Sequence, residues 1–233
     1  AAGFIGSHVV EHLLASGEYE VYAADNFDPF YDPGVKIANL KPAGSDPYYH
    51  FTELDLRVTT APILSKLYEN IRFDSIIHLA ARAGVRPSLD NPVLYFDVNV
   101  KSTLHLLEFA KLNHIPRFLF ASSSSVYGQN PNLPWKESDA ELQPISPYAA
   151  SKVSAEQLGK VYAHLYGMHF ISLRLFTVYG PRQRPDLAIH RFYNLIRSNQ
   201  PVVLYGDGSS KRDYTYVNDI CSGFLAALKL EGG

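Results

Sequence analysis

The chain contains 233 residues, of which 46% are hydrophobic, and this length allows one substantial hydrophobic core. Its formal net charge of −2 gives no electrostatic reason to bind nucleic acid or an anionic membrane surface. The single Cys221 excludes an internal disulfide, no signal peptide opens the sequence, and no apolar run approaches membrane length. We therefore expect a cytoplasmic protein without nucleic-acid or membrane partners. Because the histidines are scattered, we also predict no metal site.

The apolar periodicity alternates between strand and helix along the whole chain. Strands are predicted at 19–24, 48–54, 73–79, 117–121, 168–175 and 202–205. Helices are predicted at 4–16, 91–113, 186–198 and 217–230, with another starting beside Tyr148 and others between the strands. This alternation predicts an α/β fold with a parallel, doubly wound sheet and helices on both faces.

A serine run and a Tyr-x-x-x-Lys step carry the clearest chemical signal. The serines at 122–125 follow the buried strand 117–121, at the strand end where open parallel sheets place their sites. Tyr148 and Lys152 are four residues apart and share one helical face. The lysine charge favours phenolate, which lowers the phenol pKa from about 10 towards neutrality. Such a group takes a proton from an alcohol.

A glycine turn and a later acid predict a dinucleotide site. Gly3 and Gly6, with Phe4 and Ile5 between them, match the last two glycines of a G-x-x-G-x-x-G loop. Their amides would meet a pyrophosphate at a helix N-terminus, whereas a helix cap is the alternative reading. Asp25 ends the next strand, where a carboxylate accepts both ribose hydroxyls and repels a 2′-phosphate. The cofactor we expect is NAD.

The chain begins inside this turn, so we expect the first strand and first glycine of the fold to precede Ala1. We assign 1–175 to the NAD-binding domain and 176–233 to substrate-binding elements interleaved with late elements of the sheet, continuing beyond Gly233. The segment alone is expected to bind NAD weakly and to turn over poorly, since losing a central strand opens the core.

The ordered motifs resemble the extended short-chain dehydrogenase/reductase family with its Rossmann sheet, and in particular its nucleotide-sugar 4-epimerases. The motifs are Gly3 to His8, Asp25-Asn26, Asp55-Leu56, His78 to Ala81, Asn99-Val100, the Ser-Tyr-Lys set, Arg174 to Phe176 and Arg212 to Tyr214. The resemblance implies an NAD that stays bound through turnover, with the contacts Asp25 and Asn26 at the adenosine ribose, Asp55 and Leu56 at the adenine, and Leu79, Ala80 and Ala81 along the dinucleotide. It further implies that Asn99 braces the site and that the full-length protein forms a homodimer through a four-helix bundle.

By the same resemblance, Ser123 is the catalytic hydroxyl, and its neighbours discriminate between reactions. Related 4,6-dehydratases carry an acid pair after that hydroxyl, where this chain has Ser124 and Ser125. Elimination therefore lacks its machinery. The implied reaction is epimerisation: Tyr148 removes the sugar 4-hydroxyl proton, Ser123 orients the oxygen, and Lys152 holds the tyrosine pKa and the nicotinamide ribose. Hydride leaves C4 for NAD, and the transient 4-keto sugar takes it back on its opposite face.

The sugar is indicated by residues that resemble the UDP-glucuronate branch. The segments 25–32 and 83–86 and the residue Thr177 resemble that branch more than the UDP-galactose one. A glucuronate carboxylate needs charge-assisted donors, for which Arg184 is the first candidate, with Arg86 and Arg182 behind it. Arg212 is expected at the UDP diphosphate. The other reading of these arginines is loop surface or diphosphate contact.

Three alternatives stay open at this point. The enzyme acts on UDP-glucose or UDP-N-acetylglucosamine instead, it is a dehydratase or reductase of the same family, or the fold serves a non-catalytic NAD sensor. The complete set of Ser123, Tyr148 and Lys152 argues against the sensor, which has no need of proton transfer.

Overall fold

The computed structural model describes residues 1–139, 141–203, 206–209 and 211–230. Its strands are β1 Val21–Asp25, β2 Tyr49–Glu53, β3 Ser75–His78, β4 Arg117–Ser123, β5 His169–Leu175, β6 Thr177–Tyr179 and β7 Tyr214–Tyr216. Its α-helices are α1 Phe4–Ala15, α2 Pro33–Leu40, α3 Ala61–Leu67, α4 Val85–Asp90, α5 Pro92–Phe96, α6 Ser102–Leu112, α7 Pro147–Tyr166, α8 Ala188–Arg197 and α9 Val217–Lys229. A π-helical turn covers Asp97–Lys101, and a 3-10 turn covers Ser124–Val126.

The chain forms two compact units. Unit 1 comprises Ala1–Glu53 and Phe176–Gly223, and unit 2 comprises Leu54–Leu175 and Phe224–Gly233. One boundary thus falls between Leu175 and Phe176, where the sequence places the start of the substrate-binding elements. The assignment of 1–175 and 176–233 to cofactor and substrate stays a prediction.

Unit 1 contains two short parallel sheets. β1 pairs with β2 from Val21 opposite Tyr49 to Asp25 opposite Glu53, and β6 pairs with β7. The small core beside the first sheet consists of Val10, Ala23 and Ala43, with partly buried apolar side chains packed around them. The carboxyl end of β1 therefore delivers Asp25 to the edge where ligand-binding residues of parallel sheets collect.

Unit 2 contains a three-stranded parallel sheet in the order β3-β4-β5. β4 is central and almost wholly buried, and its pairing with β5 runs from Arg117 opposite His169 to Ser123 opposite Leu175. The main core gathers around Phe118, Phe120 and Leu107, each no more than 1% exposed. Each such side chain contributes about 1.5–3 kcal/mol to stability. The predicted α/β class with parallel sheets flanked by helices is confirmed.

Two predicted elements differ from the observed ones. The predicted helix 91–113 is interrupted by the π-helical turn, which carries one extra residue per turn and points Asn99 into the interior. The predicted strand 202–205 was wrong at its start, since residues 202 and 203 form no strand, while residues 204 and 205 lie outside the described residues. Apolar residues give a strand only when a neighbouring strand completes their hydrogen bonds.

Candidate active site

The end of β4 presents the predicted catalytic hydroxyl. Ser123 is 8% exposed, and its Oγ donates to Ser125 Oγ at 3.1 Å while accepting from the Ser125 amide at 3.2 Å. The tight turn at 124–126 closes directly after the strand because Ser123 caps it in this way. Ser124 and Ser125 are half-buried in that turn. The strand end is thus lined with hydroxyl groups.

Helix α7 presents Tyr148 and Lys152 from its first turns. Its N-terminus is fixed by Ser146, whose Oγ accepts from the Ala149 amide at 3.1 Å, and by Pro147 at the first helical position. Tyr148 is partly exposed and meets the Tyr95 ring edge-on, with ring centroids 6.1 Å apart.

Lys152 is buried, and its Nζ donates to the Ala121 carbonyl oxygen of β4 at 2.8 Å. The Nζ also lies 4.7 Å from the centre of the Phe120 ring. Burial lowers the pKa of Lys152 to about 7, although the nearby Glu156 carboxylate acts in the opposite direction. A group that titrates near neutrality is suited to giving or taking a proton at physiological pH.

Asn99 makes the contacts of a brace. Its Oδ1 accepts from the Arg82 amide at 2.8 Å, and its Nδ2 donates to the Arg82 carbonyl oxygen at 3.0 Å and to Ser151 Oγ at 2.9 Å. Ser151 Oγ in turn donates to the Tyr148 carbonyl oxygen at 2.7 Å. Asn99 therefore ties the segment after β3 to the turn of α7 that carries Tyr148 and Lys152. Its place among the cofactor contacts stays a prediction.

His78 lies beneath this brace and is a structural residue of the site. Its Nε2 is 3.0 Å from Thr103 Oγ1, and Thr103 Oγ1 donates to the Asn99 carbonyl oxygen. Since the hydroxyl proton is used in that bond, His78 donates through Nε2. Burial, helped by the charge of Lys152, lowers the pKa of His78 to about 3, so the ring is neutral at physiological pH.

The other predicted cofactor residues of unit 2 follow β2 and β3. Asp55 binds the Arg57 side chain, with its Oδ2 2.6 Å from Nη2, and the Leu56 carbonyl oxygen is 2.7 Å from His105 Nδ1. Leu56 packs against the main core. Leu79, Ala80 and Ala81 directly follow β3 and are at least partly exposed. Their predicted contacts with the dinucleotide are untested.

In unit 1, the start of α1 fits the pyrophosphate of a dinucleotide. Gly3 caps the helix without any side-chain hydrogen bond, and the first turn carries no acidic residue. A Cβ on Gly3 would meet only the Tyr31 hydroxyl, at 3.9 Å, whereas one on Gly6 would lie 2.7 Å from the Ala1 carbonyl oxygen. The turn is therefore open at Gly3 and requires glycine at position 6. Phe4 is buried and Ile5 half-buried.

Asp25 is already bound by the backbone of its own unit. Its Oδ2 accepts from the Ala2 amide at 2.9 Å, and its Oδ1 accepts from the Phe27 amide at 2.9 Å. The carboxylate retains lone pairs for a ribose hydroxyl. Asn26 Oδ1 accepts from the Asp28 amide at 3.1 Å.

The arginines expected at the substrate carboxylate and diphosphate occupy different environments. Arg184 holds the carboxylate of Asp186 with two bonds, from Nε at 3.0 Å and from Nη2 at 2.7 Å, and lies over the Phe30 ring. Arg182 donates to Ser7 Oγ and to Glu11 Oε1 at 2.7 Å, which joins it to α1. Arg212 is exposed.

Two further predicted substrate residues are Arg86 and Thr177. Arg86 is exposed on α4. Thr177 opens β6 and donates its amide to the Asp213 carbonyl oxygen at 3.2 Å, beside Arg212. Among the arginines predicted at the substrate, Arg184 shows two-pronged binding of a carboxylate, that of Asp186.

Glu156 is a buried charged residue beside the site that the sequence did not single out. It is fully buried on α7 and bound by Ser122 and Arg174. Its spacing of one helical turn after Lys152 was the available signal.

Within the described part of the chain, no helix is long and apolar enough to span a membrane. No three metal-binding side chains of the described residues are close enough to hold an ion.

An α/β fold with a serine at a parallel strand end and a buried lysine one turn from a tyrosine is the arrangement of a nicotinamide-dependent, alcohol-oxidising enzyme. The sequence comparisons make this specific. The chain belongs to the NAD dependent epimerase/dehydratase family, which it matches over residues 1–233.

Two relatives and one crystal structure to which the chain is similar are UDP-glucuronate 4-epimerases. The chain is 43% identical over 229 residues to a UDP-glucuronate 4-epimerase of Thermodesulfobacterium geofontis, covering 98% of this chain and 69% of that one. It is 41% identical over 237 residues to UDP-glucuronate 4-epimerase 1 of Arabidopsis thaliana, covering 100% of this chain and 54% of the plant protein. The crystal structure of UDP-glucuronic acid 4-epimerase from Bacillus cereus with UDP-glucuronic acid and NAD superposes with a TM-score of 0.91 at 37% identity, over 100% of this chain and 72% of that one. The chain thus spans between about half and about seven tenths of these proteins.

Proposed function

We propose that the full-length protein is an isomerase that interconverts UDP-glucuronate and its C4 epimer, with NAD as cofactor. The observation that carries this proposal is the complete Ser123, Tyr148 and Lys152 set in a chain that matches UDP-glucuronate 4-epimerases along nearly its whole length. The identity of the cofactor follows from the family and from the NAD in the neighbouring structures.

The side chains of unit 2 supply the proton chemistry. Tyr148, as phenolate, accepts the proton of the sugar 4-hydroxyl, and Ser123 holds the same oxygen through its own hydroxyl. Lys152 stabilises the phenolate and contacts the nicotinamide ribose. Bound NAD would supply the hydride acceptor at C4 and return the hydride to the opposite face of the 4-keto sugar. Because Ser124 and Ser125 lack acid–base capacity, no elimination of water accompanies the oxidation.

Cofactor contacts are assigned within each unit by itself. We assign the pyrophosphate to the amides of 3–6 and the adenosine ribose to Asp25 and Asn26, all in unit 1. Asp55 and Leu56 are assigned to the adenine and 79–81 to the dinucleotide, in unit 2. Asn99 acts by holding α7 and the segment after β3 together, as its three hydrogen bonds allow.

The substrate carboxylate is assigned to Arg184, supported by its two-pronged grip on Asp186. Thr177 contributes a hydroxyl to the same group, and Ser124 and Ser125 contact the sugar. Arg86 is kept as a secondary donor, whereas the contacts of Arg182 with Ser7 and Glu11 give it a different task. Arg212, which is exposed and donates from Nη1 to the Lys211 carbonyl oxygen at 2.7 Å, is assigned to the diphosphate.

We further assign a homodimer of the full-length protein in the cytoplasm, with α5 to α7 forming a four-helix bundle. Exposed apolar side chains on these helices support the assignment: Val93 and Phe96 on α5, and Val161 and Leu165 on α7, each at least 41% exposed. Apolar patches of this kind mark protein interfaces.

One observation favours a second candidate, a UDP-hexose 4-epimerase. The Asp186 carboxylate already neutralises the charge of Arg184, which suits a neutral sugar such as that of UDP-glucose or UDP-N-acetylglucosamine. A structure with 33% identity to this chain is a UDP-N-acetylglucosamine 4-epimerase of Methanobrevibacter ruminantium.

In the test, the full-length protein is mixed with NAD and with one sugar nucleotide at a time: UDP-glucuronate, UDP-glucose or UDP-N-acetylglucosamine. The anomeric protons of each reaction are followed by NMR. A new anomeric signal of the C4 epimer with UDP-glucuronate alone is expected. Turnover of only the neutral sugars would favour the second candidate, and a 4-keto-6-deoxy product would contradict both. The Tyr148→Phe variant serves as the inactive control.

A further inference from the structure

A buried ion pair lies directly behind the serine run. Glu156 is fully buried on α7, and its Oε1 accepts from Ser122 Oγ at 2.5 Å and from Arg174 Nε at 3.1 Å. Its Oε2 accepts from Arg174 Nη2 at 2.9 Å. Burial would raise the pKa of Glu156, but the bonds from Arg174 and Ser122 and the Arg174 charge outweigh it and hold the pKa below its usual value. The carboxylate is therefore charged inside the protein core.

Glu156 and Lys152 together attach α7 to two successive residues of β4. Lys152 Nζ donates to the Ala121 carbonyl oxygen, and Glu156 accepts from the side chain of the next residue, Ser122. The two side chains are one helical turn apart on the same face of α7. Two bonds at consecutive strand positions prevent the helix from sliding along the strand, and Ser123 is the following residue.

Arg174 extends this attachment to the other side of the serine run. It is the register partner of Ser122 on β5, and its guanidinium lies 4.8 Å from the centre of the Tyr127 ring. The run from Ser123 to Ser125 is thus held before its start by Ser122 and after its end by Tyr127. Both contacts lead to the Glu156–Arg174 pair.

Packing alone does not explain a charge at this position. A buried ion pair loses its hydration, and apolar side chains of similar volume often stabilise a core at least as well. In some proteins such a pair fixes one arrangement of the groups around it. The groups around this one are the proposed catalytic hydroxyl and the proposed catalytic lysine.

We propose that Glu156 is a positioning residue, with Arg174 as its counter-ion, that sets Ser123 in place relative to Lys152. Its carboxylate also favours the ammonium form of Lys152. The inference rests on the proposed function, because Ser123 and Lys152 take their roles from it. The charged and titratable groups that face this pair from neighbouring elements are Lys152 on α7, Arg174 on β5, Tyr127 beyond β4, and His78, whose pKa the Lys152 charge lowers.

The main test is Glu156→Gln in the full-length protein. We expect kcat for UDP-glucuronate to fall at least about tenfold, with KM within about twofold, because substrate contacts are untouched while the reacting groups are misplaced. A second readout needs neither cofactor nor substrate. In protein labelled with ¹³C at the lysine ε-carbons, the titration of Lys152 moves to lower pH, because the carboxylate that favours its ammonium is gone.

Removing Glu156 leaves the largely buried Arg174 without a carboxylate, so a milder variant is needed. Ser122→Ala keeps the ion pair and removes only the bond to the strand. It is expected to fold normally, to lower kcat about fivefold or more with KM unchanged, and to leave the Lys152 titration in place. The matched control is Glu108→Gln on α6, a carboxylate that also binds a lysine and a hydroxyl, and it retains wild-type kcat.

The outcomes separate the inference from the function on which it rests. If the wild-type protein fails to convert UDP-glucuronate, the proposed function is wrong. If it converts the substrate while Ser122→Ala keeps kcat within twofold, the positioning of Ser123 is overturned. An unmoved Lys152 titration in Glu156→Gln overturns the electrostatic part.

Discussion

The two units treat their charged side chains differently. In unit 2, Lys152 and Glu156 are buried and bound to the strand beside them, by contacts that span 31 and 34 residues of sequence. In unit 1, Arg184 and Arg182 bind carboxylates near the surface, and Arg184 takes its partner only two residues away. Breaking a buried ion pair is costly, whereas an exposed pair contributes little to stability. The proposed reacting groups are therefore held more strongly than Arg184, the arginine proposed to select the sugar.

The largest effect is expected from Tyr148→Phe, which removes the proposed general base from α7 in unit 2. We expect kcat to fall by about 10²–10⁴-fold, the usual contribution of a positioned general base, with the fold unchanged. Turnover is measured by NMR of the anomeric protons. Tyr166→Phe, on the same helix but half exposed, is the matched control. Activity within tenfold of wild type would remove Tyr148 from the mechanism.

Lys152→Met tests whether burying the ammonium of Lys152 in unit 2 lowers the free energy of unfolding. The pKa of Lys152 is about 7 when folded and about 10.4 when unfolded, so the unfolded chain binds more protons between these values. Wild-type stability therefore rises with pH from about 7 to 10. The variant lacks this dependence and is expected to melt roughly 5 °C or more above wild type at pH 6, with the difference vanishing near pH 10.

The measurement is thermal unfolding of the full-length protein across this pH range. Lys160→Met changes an exposed lysine on the same helix and is expected to show no such trend. Parallel pH curves for wild type and Lys152→Met would mean that the lysine is not desolvated in the folded protein.

Arg184→Met tests the arginine of unit 1 that is proposed to bind the sugar carboxylate. It is expected to raise KM for UDP-glucuronate about tenfold, since one charge-assisted, two-pronged bond is worth about 1.5–3 kcal/mol, and to change KM for UDP-glucose much less. Steady-state kinetics with both sugars provide the comparison. The exposed Arg197 offers a control substitution to Met. An equal effect on both sugars would assign Arg184 to the nucleotide instead of the carboxylate.

The smallest effect is expected from Asp186→Asn. If the substrate carboxylate replaces Asp186 on Arg184, removing its charge lowers KM for UDP-glucuronate by a few-fold, because a partly exposed ion pair is worth at most about 1 kcal/mol. KM for UDP-glucose is the internal reference. A higher KM for UDP-glucuronate would mean that Asp186 orients the arginine and does not compete with the substrate.

The sequence predicted the elements that follow from local periodicity. The strand before the serines, the helix starting at Pro147 and the glycine turn at 3–6 are found where apolar spacing, cap residues and glycines placed them. These features depend on neighbours within a few residues, which the sequence displays directly.

Features that depend on distant neighbours were not predicted. Glu156 resembles an ordinary solvent-facing acid until β5 brings Arg174 to it. The Ala2 and Phe27 amides on Asp25, and the Arg57 side chain on Asp55, likewise show that a predicted ligand-binding acid has partners within the protein. Residue type indicates what a side chain is able to bind, whereas tertiary contacts decide what it binds in the folded chain.

The π-helical turn at 97–101 has a consequence for protein engineering. One residue inserted into an α-helix rotates all the following side chains by about 100° around the helix axis, unless a wider π-helical turn accommodates it. Here the wide turn absorbs it, so Tyr95 before the turn and Leu107 after it are both buried. Deleting one residue from this turn would leave a regular helix of the same core pattern and redirect the side chain at 99. We expect such a shortened variant to fold but to lack the hydrogen bonds that residue 99 makes with Arg82 and Ser151. Thermal unfolding and kcat, measured on the same protein, would then separate the stability of the helix from the role of Asn99.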